Sequence, residues 1–243
     1  ENYRATDFSS LKFCLSGGAP CAEELLVAWE RETGTAIFEG IGMSEAAPIA
    51  GNPVKGRRKI RSVGPPVADT EIEIVDLDTG TRVLPQGEAG EIRLKGPQVM
   101  VGYRNRPEET AHALRGGWLY TGDIGHFDED GYLFVVDRKK EMILVGGFNV
   151  YPREIEEVLY EHRAVLEAAV IGLPHPTHGE EVGATVVLRP DATATPDELR
   201  SYVRQRVAAY KYPRHVWIAD SLPKGPTGKI VKREITPPPE VLA

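Results

Sequence analysis

Residues 137–141, Asp137-Arg138-Lys139-Lys140-Glu141, separate two parts of the chain that have different secondary-structure patterns. The part before this charged run has mostly β-strand patterns, whereas strand and helix patterns alternate after it. A run of charged residues usually forms solvated surface. Its position between two such parts instead predicts a domain junction, with one domain over 1–139 and a second, of about 100 residues, over 140–243.

The part before the run is predicted to begin with a strand, a helix and a strand and to continue mainly as β-structure. Residues 11–15 predict a strand that leads into Gly17-Gly18, and residues 22–33 have helical apolar spacing. Further predicted elements are strands over 71–75 and 91–94, a helix over 107–115 and a hairpin turn over 128–131. Because the first strand-turn-helix unit needs a parallel neighbour strand, we expect partner strands upstream of residue 1.

The part after the run predicts a smaller unit in which helices and strands are mixed. Helices are predicted from Pro152 and from Thr195, where Thr195 is the N-cap of a helix that runs to about residue 210. Strands are predicted over 142–145, 166–172, 183–188 and 215–219. The whole chain is therefore expected to have a mixed α/β fold of the α+β type.

Composition sets broad limits on function. The 243 residues include 41% hydrophobic and 27% charged residues, which is typical of globular domains. The net charge of −7 argues against a general nucleic-acid binder, and no apolar run approaches membrane-spanning length. No signal peptide is recognisable, and the two cysteines form no disulfide framework, so a cytoplasmic location is expected, with possible peripheral membrane contact.

Two glycine-containing segments in the first part suggest contacts with a nucleotide. In residues 17–20, Gly-Gly-Ala-Pro, the glycines allow the backbone to approach a flat ligand, although a plain tight turn is the simpler interpretation. Residues 40–45 end in a hydroxyl, Ser44, that can donate to a phosphate, and a carboxylate, Glu45, that suits Mg²⁺. Alternatively, Ser44 caps a helix whose first turn contains Glu45, and both interpretations can hold together because helix starts favour anions.

Two further segments carry single charged groups after glycine. In residues 120–123, Tyr-Thr-Gly-Asp, the Asp123 carboxylate can accept hydrogen bonds from ribose hydroxyls, although the segment alone favours an ordinary turn acid. Residues 222–229, Leu-Pro-Lys-Gly-Pro-Thr-Gly-Lys, end on Lys229. Its ammonium group is a mobile point charge that can contact a phosphate and a carboxylate together, whereas an isolated loop of this kind more often carries a solvated lysine.

Together and in this order, these segments resemble the adenylate-forming superfamily, and most closely its fatty-acyl-CoA ligases. The resemblance implies that residues 1–139 are the C-terminal part of a large AMP-binding domain with a β-rich, barrel-like region. It implies that residues 140–243 are a small mobile domain that swings about Lys140. The superfamily's Ser/Thr/Gly-rich phosphate loop, which ends in Pro-Lys-Gly, is not found in the chain and is expected upstream; the tripeptide at residues 223–225 follows no such Ser/Thr/Gly-rich run. The isolated chain is therefore expected to be inactive.

The resemblance also implies roles for individual residues. Those implied to contact the nucleotide are Gly18, Ala19, Pro20, Glu39, Gly40, Ile41, Gly42, Met43, Ser44, Asp123, Val135, Arg138 and Lys229. Catalytic roles are implied for Lys229, Glu45 and Ser44, with Glu45 as the Mg²⁺ ligand. Residues 146–148, Gly146, Gly147 and Phe148, are implied to contact coenzyme A. The superfamily usually has Tyr where Ile41 stands and Thr where Ser44 stands, so the wall near Ile41 is expected to differ.

The implied reaction joins a carboxylic acid, most simply a long-chain fatty acid, to CoA with ATP and Mg²⁺. The implied partners are these small molecules, with no nucleic acid and no integral membrane segment, and an oligomer is possible. One alternative is an adenylation domain that loads a carrier-protein thiol, although residues 148–152 resemble acyl-CoA ligases more. A second alternative is a catalytically silent domain that binds only a nucleotide or a partner.

Overall fold

The computed structural model describes residues 5–19 and 21–241. The chain divides into two compact units, Glu1–Lys139 and Lys140–Ala243. The elements of the first unit are β1 (Cys14–Ser16), α1 (Glu23–Thr33), β2 (Ile37–Met43), β3 (Ala46–Gly51), β4 (Glu71–Val75), β5 (Gly90–Lys95), α2 (Pro107–Ala113), β6 (Leu114–Arg115), β7 (Trp118–Phe127) and β8 (Leu133–Arg138).

The start of the first unit is a three-stranded sheet with the order β1-β2-β3. β1 runs parallel to β2 and is joined to it through α1, which ends at Gly34 in the left-handed conformation. β2 and β3 are antiparallel. The predicted succession of strand, helix and strand is confirmed, and it places the first glycine-containing segment directly after β1 and the second on and after the neighbouring β2.

The rest of the first unit is a five-stranded antiparallel sheet. β4, β5, β7 and β6 follow one another across the sheet, and β8 also pairs with β7. Buried side chains of both sheets form one core, which includes Ile49, Ile92, Leu119 and Leu133. No closed barrel is found within the described residues, so the barrel-like expectation is wrong. β6 has only two residues, which is too short an edge to complete a barrel.

The second unit is an α+β domain with its own core. Its elements are β9 (Ile143–Val145), β10 (Phe148–Val150), α3 (Pro152–Tyr160), β11 (Val165–His175), β12 (Gly179–Leu188), α4 (Pro196–Arg204) and β13 (His215–Ile218). The strand order is β10-β9-β12-β11, with β13 parallel to β12. Ile155 and Leu159 of α3 and Leu199 and Val203 of α4 are fully buried against this sheet. The mixed α/β fold class is confirmed.

Two predicted elements of the second unit have different limits in the structure. α4 begins as predicted, because the Thr195 hydroxyl accepts a hydrogen bond from the Glu198 amide at 3.2 Å. It ends at Arg204 and not near residue 210, since the Arg206 amide turns back to the Val203 carbonyl oxygen at 2.9 Å. β10 was not predicted.

The helices are short. The longest helix of the described residues, α1, has 11 residues, and no helix in residues 5–19 and 21–241 is long and apolar enough to cross a membrane.

Candidate active site

Two of the segments predicted to bind a nucleotide lie side by side. The turn over residues 17–19 leaves β1 next to Gly40 of the parallel strand β2, and it is exposed. A Cβ atom on Gly17 would come within 3.1 Å of the Gly40 carbonyl oxygen, and Gly18 has a φ of 76°. Both glycines are therefore required by local geometry, and together they leave exposed backbone. Pro20 lies outside the described residues.

Glu39 is a buried carboxylate at the start of this surface, with 7% of its area exposed. Its Oε2 accepts a hydrogen bond from the Arg61 amide at 2.8 Å. Its carbonyl oxygen accepts from the Asn52 amide at 2.9 Å. Glu39 therefore fixes the loop that follows β3, a role that sequence reasoning missed. A contact between Glu39 and a nucleotide stays a prediction.

Ser44 and Glu45 form the turn between β2 and β3. Met43 pairs with Ala46, so the two residues stand at the corner of a tight antiparallel connection. The alternative in which Ser44 caps a helix is wrong, because no helix follows. The turn leaves the Ser44 hydroxyl exposed and the Glu45 side chain partly exposed.

The apolar side chains of the predicted nucleotide surface belong partly to the core. Ile41 and Met43 pack against the core that both sheets of the first unit share. Val135 of β8 packs against the same core. A shared core thus holds these three positions in one unit, and their contact with a nucleotide stays a prediction. Gly42 lies close to the β3 side of the hairpin, since a Cβ there would be 3.3 Å from the Ala47 Cβ.

Asp123 and Arg138 are brought together by the pairing of β7 with β8. They are direct partners across the two strands, and the Arg138 Nε lies 3.5 Å from the Asp123 Oδ1. The carboxylate side chain is 16% exposed, whereas the arginine side chain is 53% exposed. Gly122, with a φ of 71°, lies inside β7 just before Asp123, where the register with β5 shifts. The arrangement places a carboxylate next to a guanidinium cation, as contact with a ribose and a phosphate would need.

Tyr103 contacts the predicted metal ligand and was missed by sequence reasoning. Its hydroxyl donates a hydrogen bond to Glu45 Oε1 at 2.7 Å. This donation, together with desolvation and the carboxylate charge, raises the pKa of Tyr103 to about 12. The only signal in the sequence is a tyrosine shortly before the proline-initiated helix α2. A contact across 58 positions could not be derived from that signal.

A cavity of about 600 Å³ lies between α2 and β7, next to the Thr121-Gly122 segment. It is lined by Glu91, Tyr103, Glu108, Glu109, His112, Ala113, Arg115, Tyr120, Thr121 and Gly122. Acidic and basic groups are mixed along its wall, so its charge does not select a single class of ligand.

Glu45 is the one residue for which Mg²⁺ binding was predicted. No cluster of three or more His, Cys, Asp or Glu side chains that could hold a metal ion occurs in residues 5–19 and 21–241. Mg²⁺ is commonly bound by one or two carboxylates together with water and substrate phosphates. A single oriented carboxylate such as Glu45 therefore fits a site that the phosphates of ATP would complete.

Lys229 ends a turn in the second unit. The Gly225 amide donates to the Lys229 carbonyl oxygen at 2.8 Å, and Gly228 has a φ of 81°. Leu222 and Ile230, on either side of the turn, pack against the sheet. Lys224 on the same loop forms an ion pair with Glu167. Lys229 is exposed, and its ammonium group has no ion pair with any described residue.

Gly146 and Gly147 form the turn between the antiparallel strands β9 and β10. Their φ values of 55° and 86° suit a two-residue turn that needs left-handed backbone at both positions. The Gly146 amide donates to the His178 carbonyl oxygen at 3.0 Å. Phe148, which follows, is 58% exposed and stacks on Tyr210 with ring centroids 4.8 Å apart. The left-handed backbone of this turn thus explains why glycine occupies both positions, and contact with CoA stays a prediction.

Lys140, the predicted hinge, lies in a single 3₁₀ turn over Lys139–Glu141. Its neighbour Lys139 is anchored, since the Lys139 Nζ lies 2.8 Å from Oε2 of the buried Glu91. Lys140 itself is exposed. The charged sequence of residues 137–141 alone does not show that Lys139 is anchored whereas Lys140 is exposed.

Comparison with known proteins gives matches in both units. The sequence model of AMP-binding enzymes matches residues 1–104, and that of the AMP-binding enzyme C-terminal domain matches residues 154–229. A long-chain-fatty-acid–CoA ligase of Bacillus subtilis is 47% identical over 94% of this chain. The chain spans 41% of the length of that relative.

Two solved structures resemble the chain closely. ATP-bound MatB from Rhodopseudomonas palustris has a TM-score of 0.87 and 37% identity, over 91% of this chain and 44% of that protein. The amide bond synthetase McbA from Marinactinospora thermotolerans has a TM-score of 0.87 and 41% identity, over 95% of this chain and 48% of that protein.

Proposed function

Because the chain belongs to the adenylate-forming family of AMP-binding enzymes, we propose that it is part of an ATP-dependent acyl-CoA ligase whose acid is a long-chain fatty acid. One observation carries the proposal. Exposed Lys229, without an ion-pair partner among the described residues, occurs in the same chain as the paired Asp123 and Arg138 and the turn of Ser44 and Glu45. These are groups suited to an acid and a nucleotide.

The first step is the transfer of AMP to the acid. A carboxylate oxygen attacks the α-phosphorus of ATP, and the bond from this phosphorus to the oxygen of pyrophosphate breaks. Negative charge is redistributed between the attacking carboxylate and the phosphate oxygens. Lys229 stabilises this charge, and the Ser44 hydroxyl donates to a phosphate oxygen. Asp123 accepts hydrogen bonds from the ribose hydroxyls, and Arg138 contacts the nucleotide.

Glu45 would hold Mg²⁺ together with the phosphates of ATP, and the bound ion would neutralise charge on pyrophosphate as it leaves. The protein's own contribution is to fix that carboxylate at the β2–β3 turn.

The second step forms the thioester. The CoA sulfur attacks the acyl carbonyl carbon, the thiol proton is lost, and the bond to the AMP oxygen breaks. Lys229 is not needed here, since we propose that the second unit turns about Lys140. The turn over residues 146–148 then faces CoA. Such a movement rests on a few junction residues.

A second candidate differs only in the acceptor. McbA, at 41% identity, is an amide bond synthetase, which suggests an amine in place of the CoA thiol. Exposed Phe148, stacked on Tyr210, supports contact with a long flexible acceptor such as pantetheine. A carrier-protein thiol would make the same use of this surface.

We propose a cytosolic enzyme that meets its acid as a small molecule or at a membrane surface.

The test uses the full-length protein with ATP, Mg²⁺ and a long-chain fatty acid. We expect exchange of labelled pyrophosphate into ATP that depends on the acid, and thioester formation with CoA at a higher rate than amide formation with primary amines. Faster amide formation would favour the second candidate. Absence of exchange with any acid would support a silent nucleotide-binding or partner-binding domain.

A further inference from the structure

We propose that Tyr103 is a positioning residue that holds the Glu45 carboxylate in the orientation in which it meets the metal–ATP complex. The inference rests on the proposed function, because it assigns Tyr103 a role through Glu45. Tyr103 itself is not proposed to contact the reacting atoms.

Three separate contacts join residues 99–103 to the turn that carries Glu45. Val99 pairs with Ala46 as an isolated antiparallel bridge. The Met100 amide donates to the Glu45 carbonyl oxygen at 2.8 Å. The Tyr103 hydroxyl donates to Glu45 Oε1 at 2.7 Å. Backbone and side chain of one residue are therefore held by one segment.

Tyr103 is itself held at the beginning of α2. Its amide donates to the Thr110 hydroxyl oxygen at 2.9 Å, and that hydroxyl donates to the Arg106 carbonyl oxygen at 2.7 Å. Gly102, with a φ of 147°, allows the close approach, since a Cβ there would lie 2.8 Å from Thr110 Cγ2. The helix thus holds the Tyr103 backbone, and this sets the point from which the side chain extends to Glu45.

The contact uses only one of the two carboxylate oxygens. Among the described residues, no hydrogen bond reaches Glu45 Oε2. Glu45 has free side-chain torsions that a bound metal would otherwise have to restrict, and restricting them costs free energy. A hydrogen bond to one oxygen restricts them in advance and leaves the other oxygen for the ion, as outer partners of metal ligands commonly do.

The test measures how much a metal ion strengthens nucleotide binding, which does not require turnover. Calorimetry on the full-length protein gives the Kd of α,β-methylene ATP with Mn²⁺ and with EDTA, and the ratio of the two is the metal-dependent gain. The variants are Tyr103→Phe, Glu45→Gln and the double variant. The control is Tyr132→Phe, which removes a tyrosine hydroxyl that donates to the Arg57 carbonyl oxygen elsewhere in the same unit.

We expect Tyr103→Phe to reduce the metal-dependent gain about tenfold, with an unchanged Kd in EDTA. Tyr132→Phe should leave both values unchanged, and Tyr103→Phe should add nothing to Glu45→Gln. If Tyr103→Phe keeps the full gain while Glu45→Gln loses it, the inference is overturned and the proposed role of Glu45 stands.

Further outcomes also overturn the inference. Equal weakening with Mn²⁺ and with EDTA would make Tyr103 only a structural support. A further loss when Tyr103→Phe is added to Glu45→Gln would show that it acts independently of Glu45. If Glu45→Gln itself keeps the gain, the metal role in the proposed function fails, and the inference fails with it. If Tyr103→Phe does not fold, Thr110→Val replaces it, because Thr110 holds the Tyr103 amide and forms no hydrogen bond with Glu45 among the described residues. A full gain in Thr110→Val overturns the inference.

Discussion

At the scale of single residues, two lysines on one loop allow a matched test. Lys224 is paired with Glu167, whereas Lys229 has no ion pair with a described residue. We expect Lys229→Ala in the full-length protein to slow adenylation about 100-fold or more, because the negative charge of the transition state is then no longer stabilised by the lysine ammonium group. Conversion of presynthesised acyl-adenylate and CoA to thioester should change little. Rapid-quench assays of each half-reaction measure both.

Lys224→Ala serves as the control for Lys229→Ala and should leave both half-reactions near the unsubstituted rates. Equal losses in the two half-reactions of Lys229→Ala would contradict a role confined to the first step.

Gly64 shows how the backbone supports the candidate site. It has a φ of 85°, and a Cβ there would lie 2.0 Å from the Gly51 carbonyl carbon at the end of β3. Since Gly64→Ala adds overlap with backbone to an unfavourable φ, we expect it to lower the free energy of unfolding by about 2–5 kcal/mol. Gly116→Ala, with a φ of 56° and open space around the Cβ, should cost only about 1–2 kcal/mol. Urea denaturation of both variants, followed by circular dichroism, measures the two losses in free energy of unfolding. Equal losses would contradict the expected overlap of the Gly64→Ala Cβ with the backbone.

The sequence allowed candidate site residues to be chosen by chemical type, but it indicated few of their contacts. The resemblance implied that Asp123 and Arg138 both contact the nucleotide, a hairpin turn was predicted between them, and the structure places them opposite each other. The hydrogen bond from Tyr103 to Glu45 was not predicted, because it depends on how the segment before α2 folds back onto the β2–β3 turn. Glu39 was assigned to the nucleotide, and its hydrogen bond to Arg61 depends on a long loop without a regular pattern.

At the scale of elements, α4 begins at a cap that a single substitution can remove. The Thr195 hydroxyl accepts from the Glu198 amide, which would otherwise lack a partner inside the helix. Thr195→Ala should destabilise the second unit by about 1 kcal/mol. Faster hydrogen exchange of the α4 amides would measure this loss. Ser201→Ala, at an exposed position in the middle of α4, should not increase exchange, and equal exchange in both variants would argue against the cap.

Elements with a strong local signal were predicted, whereas a very short strand and the pairing of strands distant in sequence were not. α3 and α4 begin at a proline in the first turn, and the structure confirms both starts. β10 has only three residues, and it exists because two glycines with positive φ turn it back onto β9. A pattern of three residues is too short to predict a strand. The parallel pairing of β13 with β12 was likewise set by packing.

At the scale of the whole molecule, the proposed change from adenylation to thioester formation requires rotation of the second unit about Lys140. Because proline fixes φ, it opposes rotation of the backbone at a hinge residue. Lys140 lies in a 3₁₀ turn, in which this fixed φ is acceptable, although proline disfavours a helical conformation at the preceding Lys139. We therefore expect Lys140→Pro to slow thioester formation while adenylation stays comparatively intact. Enzyme-bound acyl-adenylate should accumulate in single-turnover experiments.

Lys140→Ala is the control for the hinge, because it removes the charge and keeps a rotatable backbone. It should retain both half-reactions. A parallel decline of both half-reactions in Lys140→Pro would point to a damaged junction, and no effect would point to a solvated surface lysine.

The central claim is that the full-length protein activates a fatty acid by joining it to AMP. The most direct measurement supplies a long-chain fatty acid labelled with oxygen-18 in both carboxylate oxygens, with ATP, Mg²⁺ and CoA, and analyses the products by mass spectrometry. Because a carboxylate oxygen attacks the α-phosphorus and leaves with it, we predict one oxygen-18 atom in AMP, unlabelled pyrophosphate and one acyl-CoA for each AMP. Unlabelled AMP, or label in inorganic phosphate with ADP as the nucleotide product, would contradict the account.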